Sequence, residues 1–284
     1  MSFVKQNVNK APIEDTVFAI VKKAKEAKAA IGAEQVVDAT IGSLYNEEGN
    51  IVAFDSVFTP YNEIAKETKA AYAASFVGND SFRKQGYEWI VGGTGSTLAH
   101  SVIATPGGTG AVAITMQEIL DEGETVILPE IAWGSYRLMA TMDNLKVKTY
   151  SLFEGDHFNV ESLKEACREV MKTQKKLLLV INDPCHNPTG YSMSMEEWQE
   201  IVAFLNECGK EVPVVLLNDI AYIDFSYDLE HCRNYIKTFN DFSENVMAVI
   251  AFSCSKALTS YGLRCGAAIL LAQTKEAVRD VEIV

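Results

Sequence analysis

The chain has 284 residues, 48% of them hydrophobic and 22% charged, with a formal net charge of −13 at pH 7. That length supports one large domain or two smaller ones, and that composition excludes a disordered or fibrous chain. The acidity repels nucleic acid and anionic membrane, so neither is expected as a partner and any anionic ligand must be held by a local cluster of donors. From Pro12 to Ile31 the apolar residues Ile13, Val17, Ile20, Val21 and Ala24 recur at helical spacing, and Gly32 is placed to stop the helix. After it, "VVDATIG" reads as a short strand, "YNEEGN" as a turn, and "EIAKETKAAYAA" and "FRKQGYEWIV" as helices.

A repeating pattern follows. Short apolar runs, "TVILP", "KVKTY", "KLLLVIND", "VPVVLLND", "VMAVIAFS" and "GAAILLA", alternate with helical stretches such as "GAVAITMQEILDEG", "NVESLKEACREVMK" and "SMEEWQEIVAFLNECG". Ser194 and Glu197 have the spacing of a capping box at the start of the last of these. Strands that are apolar on both faces and separated by helices predict an α/β fold, a mostly parallel sheet covered by helices on both sides. The expected division is an N-terminal arm or part of a second lobe over residues 1–50 and one large domain over 51–284.

Six cysteines lie dispersed, with no C-x-x-C pair and no metal-ligand spacing, so they read as reduced thiols and no metal is expected. The opening "MSFVKQNVNKAPIED" lacks the apolar core of a secretory signal, and no apolar stretch is long enough to span a bilayer as a helix. A cytoplasmic location is the expectation.

In sheets of this kind ligands collect at the carboxyl ends of strands. "NDPCHNPTG" follows "LLLVI", "NDIAY" follows "VPVVLL" and "SCSK" follows "VMAVIAF", so three strand ends can bring Asn187, Asp219, Tyr222 and Lys256 into one pocket. "TPGGTGA", Thr105 to Ala111, opens a helical run, where glycines admit an anion to the backbone and the first-turn N–H groups can bind phosphate. It is neither a P-loop nor a complete dinucleotide fingerprint. Each feature alone has an ordinary reading: Lys256 as a solvated turn residue, Asp219 as a helix cap, Tyr222 as a core aromatic, Trp133 as a packed indole.

Taken in order, the motifs resemble the class I aminotransferases of the fold type I pyridoxal-phosphate family, the group containing aspartate and aromatic aminotransferases. The resemblance runs from "TIGSLYNEEGN" to "SYGLRCG". It implies pyridoxal 5'-phosphate as cofactor, Lys256 of S-x-S-K as the Schiff-base lysine, Asp219 as partner of the pyridinium nitrogen, and Tyr222 and Asn187 as donors to the phenolic oxygen. It further implies Trp133 as the ring-stacking residue and Gly108, Thr109, Ser253, Ser255 and Arg264 as the phosphate site. Tyr72 is similar to the tyrosine that reaches the phosphate of a neighbouring subunit, which implies a homodimer, and Gly42 sits where the family's backbone meets the substrate carboxylate. Catalysis would rest on Lys256, Asp219 and Tyr222, with an amino acid and a 2-oxo acid as substrates.

Family members continue past the lysine into a C-terminal segment on the scale of a small domain, about one hundred residues, that carries the arginine for the substrate carboxylate. The sequence stops at Val284, so that small domain is expected to be absent and the activity of the chain reduced. The same fold also serves β-eliminating lyases, and a catalytically idle cofactor-binding or assembly module is the alternative from a different class.

Overall fold

Leu177–Asn182, Val214–Asp219 and Val246–Ser253 are buried along their whole length, as expected for strands covered on both faces. The computed structural model describes Phe3, residues 16–40 and residues 42–283. In chain order the helices are α1 Thr16–Ile31, α2 Asp55–Glu63, α3 Lys66–Ala70, α4 Asp80–Ile90, α5 Gly107–Ile119, α6 Ser135–Met142, α7 Val160–Met171, α8 Met195–Gly209 and α9 Lys275–Glu282. The strands are β1 Ala99–Pro106, β2 Thr125–Pro129, β3 Lys146–Tyr150, β4 Phe153–Glu154, β5 His157–Phe158, β6 Leu177–Asn182, β7 Val214–Asp219, β8 Val246–Ser253 and β9 Cys265–Ala272. None of the described helices is long and apolar enough to cross a membrane.

The main sheet has the order β1-β9-β8-β7-β6-β2-β3. From β3 to β8 neighbouring strands are parallel, while β9 runs antiparallel to both β8 and β1. The reversal follows from the connection: a parallel return needs a long crossover, whereas β8 and β9 are joined by a short segment whose regular structure is a 3-10 turn at Tyr261–Leu263. Each face has its own core. On one, Trp198 stacks on Tyr235 with ring centroids 4.6 Å apart, and Phe239 stacks on Phe242 at 4.9 Å. On the other, Met116 of α5 and Tyr136 and Met139 of α6 cover Val126, Val180 and Val249.

The mostly parallel sheet agrees with the sequence pattern, and β2, β3, β6, β7, β8 and β9 fall on the six apolar runs. The capping box of α8 is formed, with Glu197 N–H donating to Ser194 Oγ at 3.1 Å and Ser194 N–H to Glu197 Oε2 at 2.7 Å. Around Tyr45 and Ile51, which form an isolated bridge, "YNEEGN" turns as expected. Helix α1 ends at Gly32, whose φ of 97° suits glycine; the expected start at Pro12 and Ile13 lies outside the described residues.

Two expectations fail. "VVDATIG" forms no strand over its described residues, because no strand lies beside it to accept a ladder, and Val37 is fully exposed. "EIAKETKAAYAA" is helical only at Glu63, the last residue of α2, and at Lys66–Ala70, and the longer helix of this region is α2, which continues through Pro60. Strand β1 and helix α6 are further elements that periodicity does not reveal, since the burial of β1 neither alternates nor runs unbroken and α6 is short.

Candidate active site

The polar residues that interrupt the apolar strands all stand at one edge of the sheet: Asn182 ends β6, Asp219 ends β7 and Ser253 ends β8. Helix α5 begins at that edge directly after β1. Gly107, at its first position, has a φ of 74°, and a Cβ there would lie 2.7 Å from Arg264 Nη2. Opposite it, a Cβ on Gly266 would lie 2.5 Å from the Gly107 carbonyl carbon and 2.6 Å from the Phe252 carbonyl oxygen. The glycines therefore let the start of β9 press against the start of α5, which sets the Arg264 guanidinium beside the α5 N-terminus. Arg264 itself is left-handed, with φ 47° and ψ 48°, a conformation costing an arginine roughly 1 kcal/mol or more. Its Nη1 donates to Ser255 Oγ at 3.2 Å and to the Tyr261 carbonyl at 2.9 Å.

A cavity of about 430 Å³ opens at this edge. One end is an anion cradle: Gly108 and Thr109 of the first turn of α5, the hydroxyls of Ser253 and Ser255, and Arg264. The helix dipole, free first-turn N–H groups and guanidinium all favour negative charge there. The floor holds Asp219, 6% exposed, whose Oδ2 accepts from Tyr136 Oη at 2.5 Å and whose Oδ1 accepts from the Ala221 N–H at 3.0 Å. Burial raises the Asp219 pKa above the ordinary carboxylate value, and these two donors hold it back. Trp133 forms a wall, edge-on to Tyr136 with centroids 5.5 Å apart.

Lys256 projects into the same space. Its Nζ donates to the Gly42 carbonyl at 3.1 Å and stands 5.5 Å from the centre of the Tyr222 ring and 5.7 Å from that of Tyr261. Burial, and then the charge of Arg264, lower the Lys256 pKa from its ordinary value, so its neutral amine is populated at lower pH than that of a surface lysine. Burial, and then the Asp219 charge, raise that of Tyr222, which keeps its hydroxyl protonated as a donor.

Of the residues singled out in the sequence, Gly108, Thr109, Trp133, Asn187, Asp219, Tyr222, Ser253, Ser255, Lys256 and Arg264 line this one cavity, and Gly42 touches it through its carbonyl. Tyr72 does not line it; its side chain is fully exposed. Sequence reasoning misses Tyr136, Asn182 and Tyr261. Asn182 joins two strand ends, its Nδ2 donating to the Asp219 carbonyl at 2.8 Å and its Oδ1 accepting from the Asn187 N–H at 2.7 Å. The available signal was its position, first in "NDPCHNPTG" and last in an otherwise apolar strand.

Comparison with known proteins identifies the family. The pattern of the family "Aminotransferase class I and II" matches residues 34–282, and the chain belongs to that family. A crystal structure of an aminotransferase from Anaerococcus prevotii superposes with a TM-score of 0.94 at 34% identity, covering 100% of this chain and 70% of that one. An aromatic-amino-acid aminotransferase of Paracoccus denitrificans is 28% identical over 209 residues, 72% of this chain and 50% of its own length. An aspartate aminotransferase of Pseudomonas aeruginosa is 24% identical over 253 residues, 83% of this chain and 59% of its own length. The chain thus spans between half and three fifths of these two relatives.

Proposed function

We propose that the chain is the cofactor-binding part of a pyridoxal-phosphate-dependent aminotransferase, with residues 51–284 as the cofactor domain and residues 1–50 as an arm. It would exchange an amino group between an amino acid and a 2-oxo acid. The supporting observation is one cavity that holds a half-buried amine at Lys256, a buried carboxylate at Asp219 and an anion cradle closed by Arg264. This donor set fits pyridoxal phosphate: Gly108, Thr109, Ser253, Ser255 and Arg264 suit its phosphate, Asp219 its ring nitrogen, Asn187 and Tyr222 its phenolic oxygen, and Trp133 its ring face. When bound, the group supplies an aldehyde and an electron-accepting ring, chemistry no side chain provides.

Everything else is done by the chain. The Asp219 carboxylate, fixed by Tyr136 and the Ala221 N–H, offers a negative charge that favours a protonated ring nitrogen. Lys256 would be the covalent attachment point and the base that moves a proton at the substrate Cα, a role that its lowered pKa favours by making the neutral amine easier to reach. Arg264 would pair with the phosphate as its charged partner, and it contributes to the field that lowers the Lys256 pKa. A second copy of the chain is the proposed partner, with Tyr72 reaching across to it, and the dispersed free cysteines suit a cytoplasmic setting.

Borohydride reduction after incubation with pyridoxal phosphate should place the pyridoxyl group on Lys256 in a peptide map; labelling elsewhere, or none at saturation, refutes the site. Adding an amino acid and a 2-oxo acid then separates the readings. Amino transfer supports the proposal, release of pyruvate and ammonia indicates an eliminating lyase, and no turnover indicates a binding module.

A further inference from the structure

Cys254 and Cys265 bracket the segment that carries Lys256 and Arg264. The register pairing Ser253 with Gly266 sets these two cysteines directly opposite one another, and the Cys254 N–H donates to the Cys265 carbonyl at 3.0 Å. Opposed residues at such a position have Cα atoms about 5.5 Å apart, inside the roughly 4.4–6.8 Å that a disulfide spans. Strand alternation points both thiols to the face opposite Ser253 and the anion cradle, where Cys254 joins the Trp198 core and Cys265 packs against it. Each thiol shifts the titration of the other. Cys254 is 8% exposed while Cys265 is only half-buried, so Cys265 is the more accessible residue of the pair.

We propose that Cys254 and Cys265 form a thiol–disulfide exchange site for low-molecular-weight disulfides of the glutathione type. The Cys265 thiolate attacks one sulfur of the small disulfide, forming a mixed disulfide and expelling one thiolate. Cys254 gives up its proton and attacks Cys265 Sγ, forming the cross-strand bond and expelling the second thiol. The chain's two thiols are oxidised by two electrons, and the small disulfide is reduced to two thiols. The order of attack follows from exposure and acidity: the neighbouring Cys254 thiol pulls the Cys265 pKa down to about 7, while Cys265 and burial push that of Cys254 far up. The bond staples the base of the segment holding Lys256, Tyr261 and Arg264.

The test incubates the native chain with graded oxidised-to-reduced glutathione, alkylates the remaining thiols and maps tryptic peptides without reduction. Cleavage at Lys256 and Arg264 puts the two cysteines on different peptides, so their linkage is read directly. The expected product is the Cys254–Cys265 linked pair, forming at least tenfold faster than adducts on Cys185 and Cys232. In Cys254→Ser, glutathione should instead remain on Cys265. Dominant linkage of any other pair, or modification of Cys265 no faster than Cys185 and Cys232, overturns the proposal, and the unsubstituted chain alone decides this.

Discussion

At Lys256 the decisive property is the charge state of one amine. Burial and Arg264 lower its pKa, so the neutral, nucleophilic form appears at lower pH than on surface lysines. Reductive labelling with pyridoxal, which carries no phosphate and does not need the anion cradle, should therefore modify Lys256 selectively at neutral pH. Arg264→Gln removes a positive neighbour, so the labelling profile should move to higher pH. An unmoved profile, followed by peptide mapping from pH 6 to 10, would show that Arg264 does not act on the amine. The lysine was legible in the sequence because S-x-S-K at a strand end is a local pattern. Tyr136 was not, since it acquires its role only through contact with Asp219, 83 residues away, and Asn182 showed only as the polar end of an apolar strand, its bond to the Asp219 carbonyl 37 residues on lying beyond any local pattern.

At the scale of elements, the polar edge of the sheet is held by Asp183, which follows β6 and ties it to the loop and to α8. Its Oδ1 accepts from the Met193 N–H at 2.7 Å and its Oδ2 from Trp198 Nε1 at 2.9 Å. It is 2% exposed, and burial outweighs those bonds, pushing its pKa up to about 7. The folded chain therefore binds a proton that the unfolded chain has released between about pH 4 and pH 7. The stability this confers is complete below about pH 4 and is lost as pH rises through 7, a change of up to about 4 kcal/mol. Asp183→Asn cannot titrate, so the stability of the wild type relative to this variant should fall by a few kcal/mol between pH 4 and pH 8 in denaturant melts. Parallel profiles would mean that Asp183 stays ionised throughout.

The contact between β9 and α5 gives an independent element-level prediction. A methyl group on Gly266 meets backbone, not flexible side chain, on both sides. Gly266→Ala should lower the denaturant midpoint by the equivalent of about 1–3 kcal/mol with an unchanged m-value, and weaken pyridoxal-phosphate retention along with it. A wild-type midpoint would show that the strand and helix can separate at no cost. Strands β6 to β8 were legible because burial on both faces leaves an uninterrupted apolar run. "VVDATIG" misled because β-branched residues fit a strand only where a neighbouring strand exists, and Val36 is extended without one.

For the whole molecule, large apolar side chains stand uncovered on the surface of the chain. Tyr72, Phe76 and Tyr227 are as exposed as in an unfolded chain, and Phe54, Tyr61 and Ile64 around α2 are each more than a third exposed. Single exposed apolar residues are ordinary, but several large ones on the short helices and loops of 54–76 suit a surface that a partner covers. Tyr72 lies outside the cavity of its own chain, which suits the proposed role in the site of a second copy. Sedimentation equilibrium with pyridoxal phosphate present should give twice the chain mass, and proteolysis within 54–76 should slow as concentration rises through the dimerisation range. Tyr72→Phe should leave the dimer intact yet weaken cofactor retention by about 1.5–3 kcal/mol, the value of a hydrogen bond to a charged group. A monomer that retains the cofactor fully and is indifferent to Tyr72→Phe would remove the basis for a shared site.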